Sequence, residues 1–364
     1  MHPLTGSDPR TFLSVVAQSG AVPARAWPQV AALGLAVLGR APFSLIEGAY
    51  TRIRLARAGR MPPPVFIVGH WRSGTTHLYN IMVQDEFGFV PPVATGLPWD
   101  MLLLGRALKP VIDRALPETR YIDNIPVRPD SPQEDEIALA NMSPLSFYHG
   151  IYFPRAFDRH LSRGLFFDGC TQAEIERWQR TFTYFMEKLW LQQDRKRLLI
   201  KNPVYTSRVA MLHALYPDAL FIHIRRNPYE VFESMRNFYT KLFRQLALQP
   251  FDHVDIDEAV LATYERIMGR IDAEWPSIPQ SHRAEVAYED LDTAPLEVME
   301  RLYTELPLGD FGAMRSKFAA YLKSVEGFEK NRFEYSDRSA RLVESRLGEF
   351  IARGSFRRPG AERA

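Results

Sequence analysis

The stretch VFIVGHWRSGTT, residues 65–76, constrains this chain of 364 residues more than any other part of it. A short apolar run, entered through Pro62, Pro63 and Pro64, reads as a buried strand. Gly69 and Gly74 bracket a turn, and Leu78, Ile81 and Met82 then recur at helical spacing. Strand, glycine loop and helix in that order build a cradle for an anion. The glycines let the backbone come close, successive amides point inward, and the helix N-terminus adds partial positive charge. Arg72, Ser73, Thr75 and Thr76 contribute side-chain donors. A glycine pair alone would be a tight turn with a helix cap; the flanking strand and helix favour the anion site.

The stretch nearly fits the nucleoside-triphosphate loop GxxxxGK[ST], yet Thr75 stands where the lysine would reach the terminal phosphates. A second strand, 219–224, runs into Arg225 and Arg226 rather than into the acidic residues that such enzymes use for Mg²⁺. Two basic loops, each after a strand, suit a ligand with two separate anionic groups and no obligatory metal.

The remaining pattern is α/β. A strand at 198–200 precedes a helix containing Leu212 and Leu215. After 219–224 comes a helix capped by Asn227, with Pro228 in its first turn and Val231, Met235, Phe238 and Leu242 as its buried stripe. Residues 284–288 read as another strand, with a helix following at 296–303. Strands separated by helices predict a mostly parallel central sheet flanked by helices. Thr171 and Glu174 have capping-box spacing ahead of an apolar stripe, Ile175, Trp178, Phe182, Phe185 and Leu189. Between 91 and 130 prolines are frequent and periodicity is weak, which predicts an excursion over the mouth of a site. The expected organisation is a helical segment over 1–60, a main domain over 61–335 carrying that excursion at about 91–155, and a C-terminal helix or tail over 336–364.

A formal charge of +2 gives no footing for nucleic acid. The single cysteine, Cys170, leaves no intrachain disulfide or cysteine metal site and suits a reducing cytosol. Oligomeric state is not encoded. The apolar stretch 30–38 is too short to span a bilayer and is followed by Arg40, so no transmembrane helix is expected. Segment 43–60 mixes Leu45, Ile46, Tyr50, Ile53 and Leu55 with Arg52, Arg54, Arg57 and Arg60. It meets the criterion for peripheral contact with an anionic membrane surface, as on the inner face; a packed helix with a solvated basic face is the competing reading.

The combination of GHWRSGTT with KNP at 201–203 and RRNPYEVFESM at 225–235 resembles the sulfotransferase superfamily, bacterial type, over residues 64–308. The resemblance implies an α/β, P-loop-like sulfotransferase fold and transfer of a sulfuryl group from 3′-phosphoadenosine 5′-phosphosulfate to a hydroxyl. It assigns the 5′-phosphosulfate to Arg72, Ser73, Gly74, Thr75 and Thr76, Arg72 standing where many relatives have lysine. It assigns the 3′-phosphate to Arg226 and Ser234, and adenine to Tyr288. Lys201 corresponds to the catalytic lysine that stabilises the leaving phosphate. Where cytosolic relatives place a histidine base, this chain has Pro203. Glu134 and Glu136, in the run PQEDE at 132–136, are the candidate bases, with a charged helix start as the equal alternative. His70, beside the loop, and His149, in an aromatic run, stand in reserve, and Lys330 and Arg332 are candidates for a further phosphate contact. Leu97, Trp99, Met101, Leu102, Phe147, Tyr148 and Tyr152 favour a hydrophobic small-molecule or lipid acceptor, such as a quinol, sterol or lipid alcohol, over a sugar. The competing classes are an ATP-dependent small-molecule kinase and a non-catalytic nucleotide-binding module.

Overall fold

The computed structural model describes residues 2–115, 128–327 and 335–359. Lys330 and Arg332 lie outside them. The chain forms two compact units, one from residues 1–62, 88–198 and 241–254, the other from 63–87, 199–240 and 255–364.

The first unit is built of helices. Helix α1 (Pro9–Gln18) starts at Asp8, whose carboxylate accepts from the backbone N–H groups of Arg10 and Thr11. Helix α2 (Trp27–Ala56) runs unbroken through the position where the sequence reading divides the region. Arg40 does not end the apolar run because its guanidinium lies 2.6 Å from the buried carboxylate of Asp100. By length and composition the helix Ala24–Ala56 therefore passes as a candidate membrane span, its most apolar 18 residues having a mean hydropathy of 1.5, where 30–38 alone was too short. Helix Gln172–Gln192 has the expected capping box between Thr171 and Glu174, and buries Trp178, Phe182, Phe185 and Leu189. The proline-rich stretch forms short helices, Pro92–Gly96, Leu104–Ala107 and Lys109–Ala115.

The second unit holds a four-stranded, wholly parallel sheet in the order β2-β1-β3-β4. Its strands are β1 (Val65–Val68), β2 (Leu199–Lys201), β3 (Leu220–Arg225) and β4 (Arg283–Ala287). β1 is buried throughout, as a central parallel strand covered on both faces must be, and it reads as continuous Val, Phe, Ile and Val rather than as an alternation. Helix α3 (Thr75–Met82) follows β1 through the glycine loop. The chain passes from β1 to β2 on one side and returns to β3 on the other. The strand order thus reverses between β1 and β3, and in open parallel sheets ligands bind beyond the carboxyl ends of the strands at such a point.

Two of the boundaries that differ from the sequence reading bear on the site. Lys201 is the last residue of β2, paired in register with Ile67, rather than the residue after the strand. Tyr288 opens helix Tyr288–Thr293 instead of closing β4, whose last register partner for β3 is Ala287.

Candidate active site

The carboxyl ends of the four strands bring together residues that are far apart in sequence. β1 delivers the loop 69–74, β2 delivers Lys201, β3 delivers Arg225 and Arg226, and β4 delivers Tyr288. The loop needs both glycines. Gly69, at φ 147°, passes so close to β3 that a Cβ would stand 2.4 Å from the Ile224 carbonyl oxygen. Gly74, at φ 94°, would drive a Cβ to 2.2 Å from the Tyr288 ring. The Thr206 hydroxyl ties the loop at its start, accepting from Gly69 N at 2.7 Å and donating to the Gly69 carbonyl. At the far side the Ser73 hydroxyl donates to the His70 carbonyl at 2.7 Å.

Basic side chains border this loop on several sides. Arg72, itself at φ 67°, donates from Nε to the Ser234 hydroxyl at 2.8 Å. Arg226 donates from Nη1 to the Arg72 carbonyl at 3.0 Å, pairs with Glu230 at 2.6 Å and lies 4.1 Å from the centre of the Tyr288 ring. Lys201, 1% exposed, donates from Nζ to the Thr76 hydroxyl at 3.2 Å. The result is a preformed set of donors around a helix N-terminus, chemically suited to hold a ligand carrying two separate phosphate-like groups and to stabilise charge on an oxygen between them.

Residues 63–310 match the sulfotransferase family. The chain belongs to that family. This sulfotransferase is 30% identical to an omega-hydroxy-beta-dihydromenaquinone-9 sulfotransferase of Mycobacterium bovis over 311 residues, covering 85% of this chain and 80% of the relative. The same figures hold for the protein of that name from Mycobacterium tuberculosis. In fold it is similar to a sulfotransferase from Mycobacterium avium, with a TM-score of 0.69 at 15% identity over 97% of both chains. It is also similar to one from Mycobacterium tuberculosis, with a TM-score of 0.62 at 17% identity over 94% of both chains. The parallel, helix-flanked sheet expected of the family is the one observed.

Among the other residues singled out from the sequence of this sulfotransferase, Glu136 opens helix Glu136–Met142 in the first unit. It is buried, and its Oε1 accepts from the Ser146 hydroxyl at 2.6 Å. Glu134 is half-buried in the same run. Tyr152 is pushed well above the ordinary phenol range, chiefly by burial, with Tyr148 and Glu136 adding to it. His149 lies in the core with its ring nitrogens 2.9 Å from the Ala140 carbonyl oxygen and 3.2 Å from that of Pro144. The sequence reading missed Thr206 and Glu230. Thr206 meets Gly69 through strand order, with no local signal, whereas the Arg226–Glu230 pair has the i,i+4 spacing that the sequence itself carries.

His70 and His223 are buried in the second unit, and burial pulls their imidazoles down to about 4 and about 3, with Arg225 adding to the effect on His223. His70 Nδ1–H donates to the Trp71 carbonyl at 3.0 Å, which leaves its Nε2 a bare acceptor. Unfolded histidine titrates near about 6.5. Below that pH the unfolded chain binds protons that the folded chain refuses, so stability is full above about pH 6.5 and falls as pH drops toward 4. Urea midpoints are expected to decline between about pH 7 and pH 5, each histidine contributing at most about 1.4 kcal/mol per pH unit. His223→Phe should flatten that decline; an unchanged slope in the variant would refute the assignment.

Proposed function

We propose that this sulfotransferase uses 3′-phosphoadenosine 5′-phosphosulfate as donor and a hydroxyl on a hydrophobic small molecule or lipid as acceptor. The observation that carries the donor reading is the convergence of Arg72, Lys201, Arg226 and Ser234 on the glycine loop at the carboxyl ends of one parallel sheet. In this reading the loop from Arg72 to Thr76 holds the 5′-phosphosulfate. The planar fork of Arg226, with Ser234, holds the 3′-phosphate. Tyr288 offers its ring toward the adenine.

The acceptor oxygen attacks sulfur as the bond from sulfur to the phosphate oxygen breaks. Adenosine 3′,5′-bisphosphate leaves with the bonding electron pair, Lys201 stabilises the charge that grows on its oxygen, and the hydroxyl proton passes to a carboxylate of the 132–136 run, Glu136 or Glu134. No metal is required in this scheme. Support for a hydrophobic acceptor comes from the relative whose name specifies a hydroxylated dihydromenaquinone; Met101, Phe147, Tyr148 and Tyr152, singled out from the sequence, are buried in the core of the first unit.

The test is calorimetric titration with adenosine 3′,5′-bisphosphate in the absence of metal. Arg226→Ala is expected to weaken binding by about a hundredfold, roughly the 3 kcal/mol of a forked charge-assisted contact. Arg226→Lys, which keeps the charge and loses the fork, should fall between the two. Tighter binding of Mg-ATP than of the bisphosphate would overturn the donor assignment.

A further inference from the structure

Helix α2 turns a long apolar face to solvent, beyond the Val30, Leu33 and Val37 that it buries. Among the described residues exposed between positions 27 and 49, Gln29 alone is polar. Leu45 is 76% exposed, Leu35 71%, Ile46 61% and Leu38 60%, and Trp27 and Phe43 are half exposed. At 1.5 Å per residue this face extends about 34 Å. The polar groups of the helix point the other way. Arg40 and Ser44 bond Asp100, and Glu47 lies 2.7 Å from Lys188, both of the latter side chains fully buried. A surface helix ordinarily shows the opposite arrangement, and an apolar face of this length marks a binding surface.

Charge selects the occupant. Directly after the apolar stretch come Arg52, Arg54, Arg57 and Arg60, all exposed, and Arg25 precedes it. Within residues 25–60 the one acidic residue is Glu47, which is buried against Lys188. A second copy of the chain pairing along this face would set arginines against arginines in a parallel arrangement and against Arg25 in an antiparallel one, with no carboxylate on the face to receive them. An anionic bilayer satisfies both halves: acyl chains take the apolar residues, and phosphate headgroups take the arginines.

The same contacts decide how the helix lies. Passage across the bilayer would strip Arg40, Ser44 and Glu47 of Asp100 and Lys188 and leave ionised groups in hydrocarbon. Lying in the plane keeps each of these bonds. We propose that α2 docks this sulfotransferase in plane onto a membrane surface rich in anionic phospholipid, with the face made by Leu35, Leu38, Leu45, Ile46 and Ile53 immersed and the arginines after it at the headgroups. This surface is independent of which acceptor the enzyme sulfates.

The test is flotation of the full chain, without donor or acceptor, with vesicles of phosphatidylcholine alone and of phosphatidylcholine with phosphatidylglycerol. Binding is expected to the mixed vesicles and to weaken with salt. Leu35→Ser combined with Leu45→Ser and Ile46→Ser should lower the partition coefficient by about tenfold or more. Alanine at Arg52, Arg54, Arg57 and Arg60 should remove the preference for the anionic vesicles. These side chains are exposed, so the variants should keep the wild-type circular dichroism and bisphosphate affinity, which separates loss of docking from loss of the donor site. The proposal is overturned if the wild type floats with neither vesicle, if the serine variant floats as well as the wild type, or if sedimentation shows a dimer that the serine substitutions dissociate while flotation is absent.

Discussion

Replacing Lys201 by Met is expected to lower kcat by about two to three orders of magnitude while changing the affinity for adenosine 3′,5′-bisphosphate by about tenfold or less. The side chain ends β2 in an almost fully buried position, so its ammonium is held in place before substrate arrives and needs no reorganisation when charge develops. Its Nζ already donates to Thr76, the second residue of the helix that begins at the loop, which fixes the ammonium beside the group proposed to carry the leaving oxygen. Met has nearly the same length and fills the same space, so the core formed by β1 and β2 should survive the change. The charge on that oxygen is larger at the transition state than in the bound donor, so the loss should fall on kcat rather than on binding. Single-turnover rates beside calorimetric affinities separate the two. A variant that binds the bisphosphate a hundredfold more weakly yet turns over normally would make Lys201 a ground-state anchor and move the catalytic role elsewhere.

The glycine loop was legible in the sequence because its parts are local. The glycine loop and its flanking strand and helix occupy one short stretch, and an anion site follows from residue types that only such a turn requires. Alternation of strands and helices predicted a parallel sheet, which places the ends of β1, β2 and β3 on one edge; it was the family resemblance that singled out Lys201 and Arg226 as partners of the loop. The order of the strands was not legible. It is fixed by burial across the whole unit, and with it come the contacts of Thr206 with Gly69 and of Tyr288 with Gly74, which span 137 and 214 positions. Helix α2 was misread for a related reason. Arg40 looks like the end of an apolar run only while its partner is unknown, and Asp100 lies 60 positions away. The acidic run 132–136 stayed ambiguous because its residues serve a helix start and a general base equally well, and their burial does not distinguish the two roles.

Lys188→Met should cost about 3–5 kcal/mol of stability, the largest single effect expected outside the site. Lys188 and Glu47 are both fully buried at 2.7 Å, and each has further bonds: Lys188 donates to the carbonyls of Pro98 and Trp99, and Glu47 accepts from the backbone N–H groups of Leu102 and Leu103 at 2.8 Å. Burial draws the lysine's pKa down while Glu47 pulls it up, so the pair persists because the two charges and the four backbone groups satisfy one another. Removing the cation alone strands a carboxylate in the interior. Adding Glu47→Gln to Lys188→Met neutralises that carboxylate and should recover part of the loss, leaving the double variant more stable than Lys188→Met by roughly 1–2 kcal/mol. Urea midpoints with unchanged m-values are the measurement, and a Lys188→Met cost below about 1 kcal/mol would show that the pair is not what holds α2 to its unit. The pair joins the fold to the proposed docking surface. The inward face of α2 is held both by buried Val30, Leu33 and Val37 and by these ions and hydrogen bonds. Weakening that hold should loosen α2 in solution and leave its apolar face intact, so Lys188→Met is expected to lose stability while still floating with anionic vesicles.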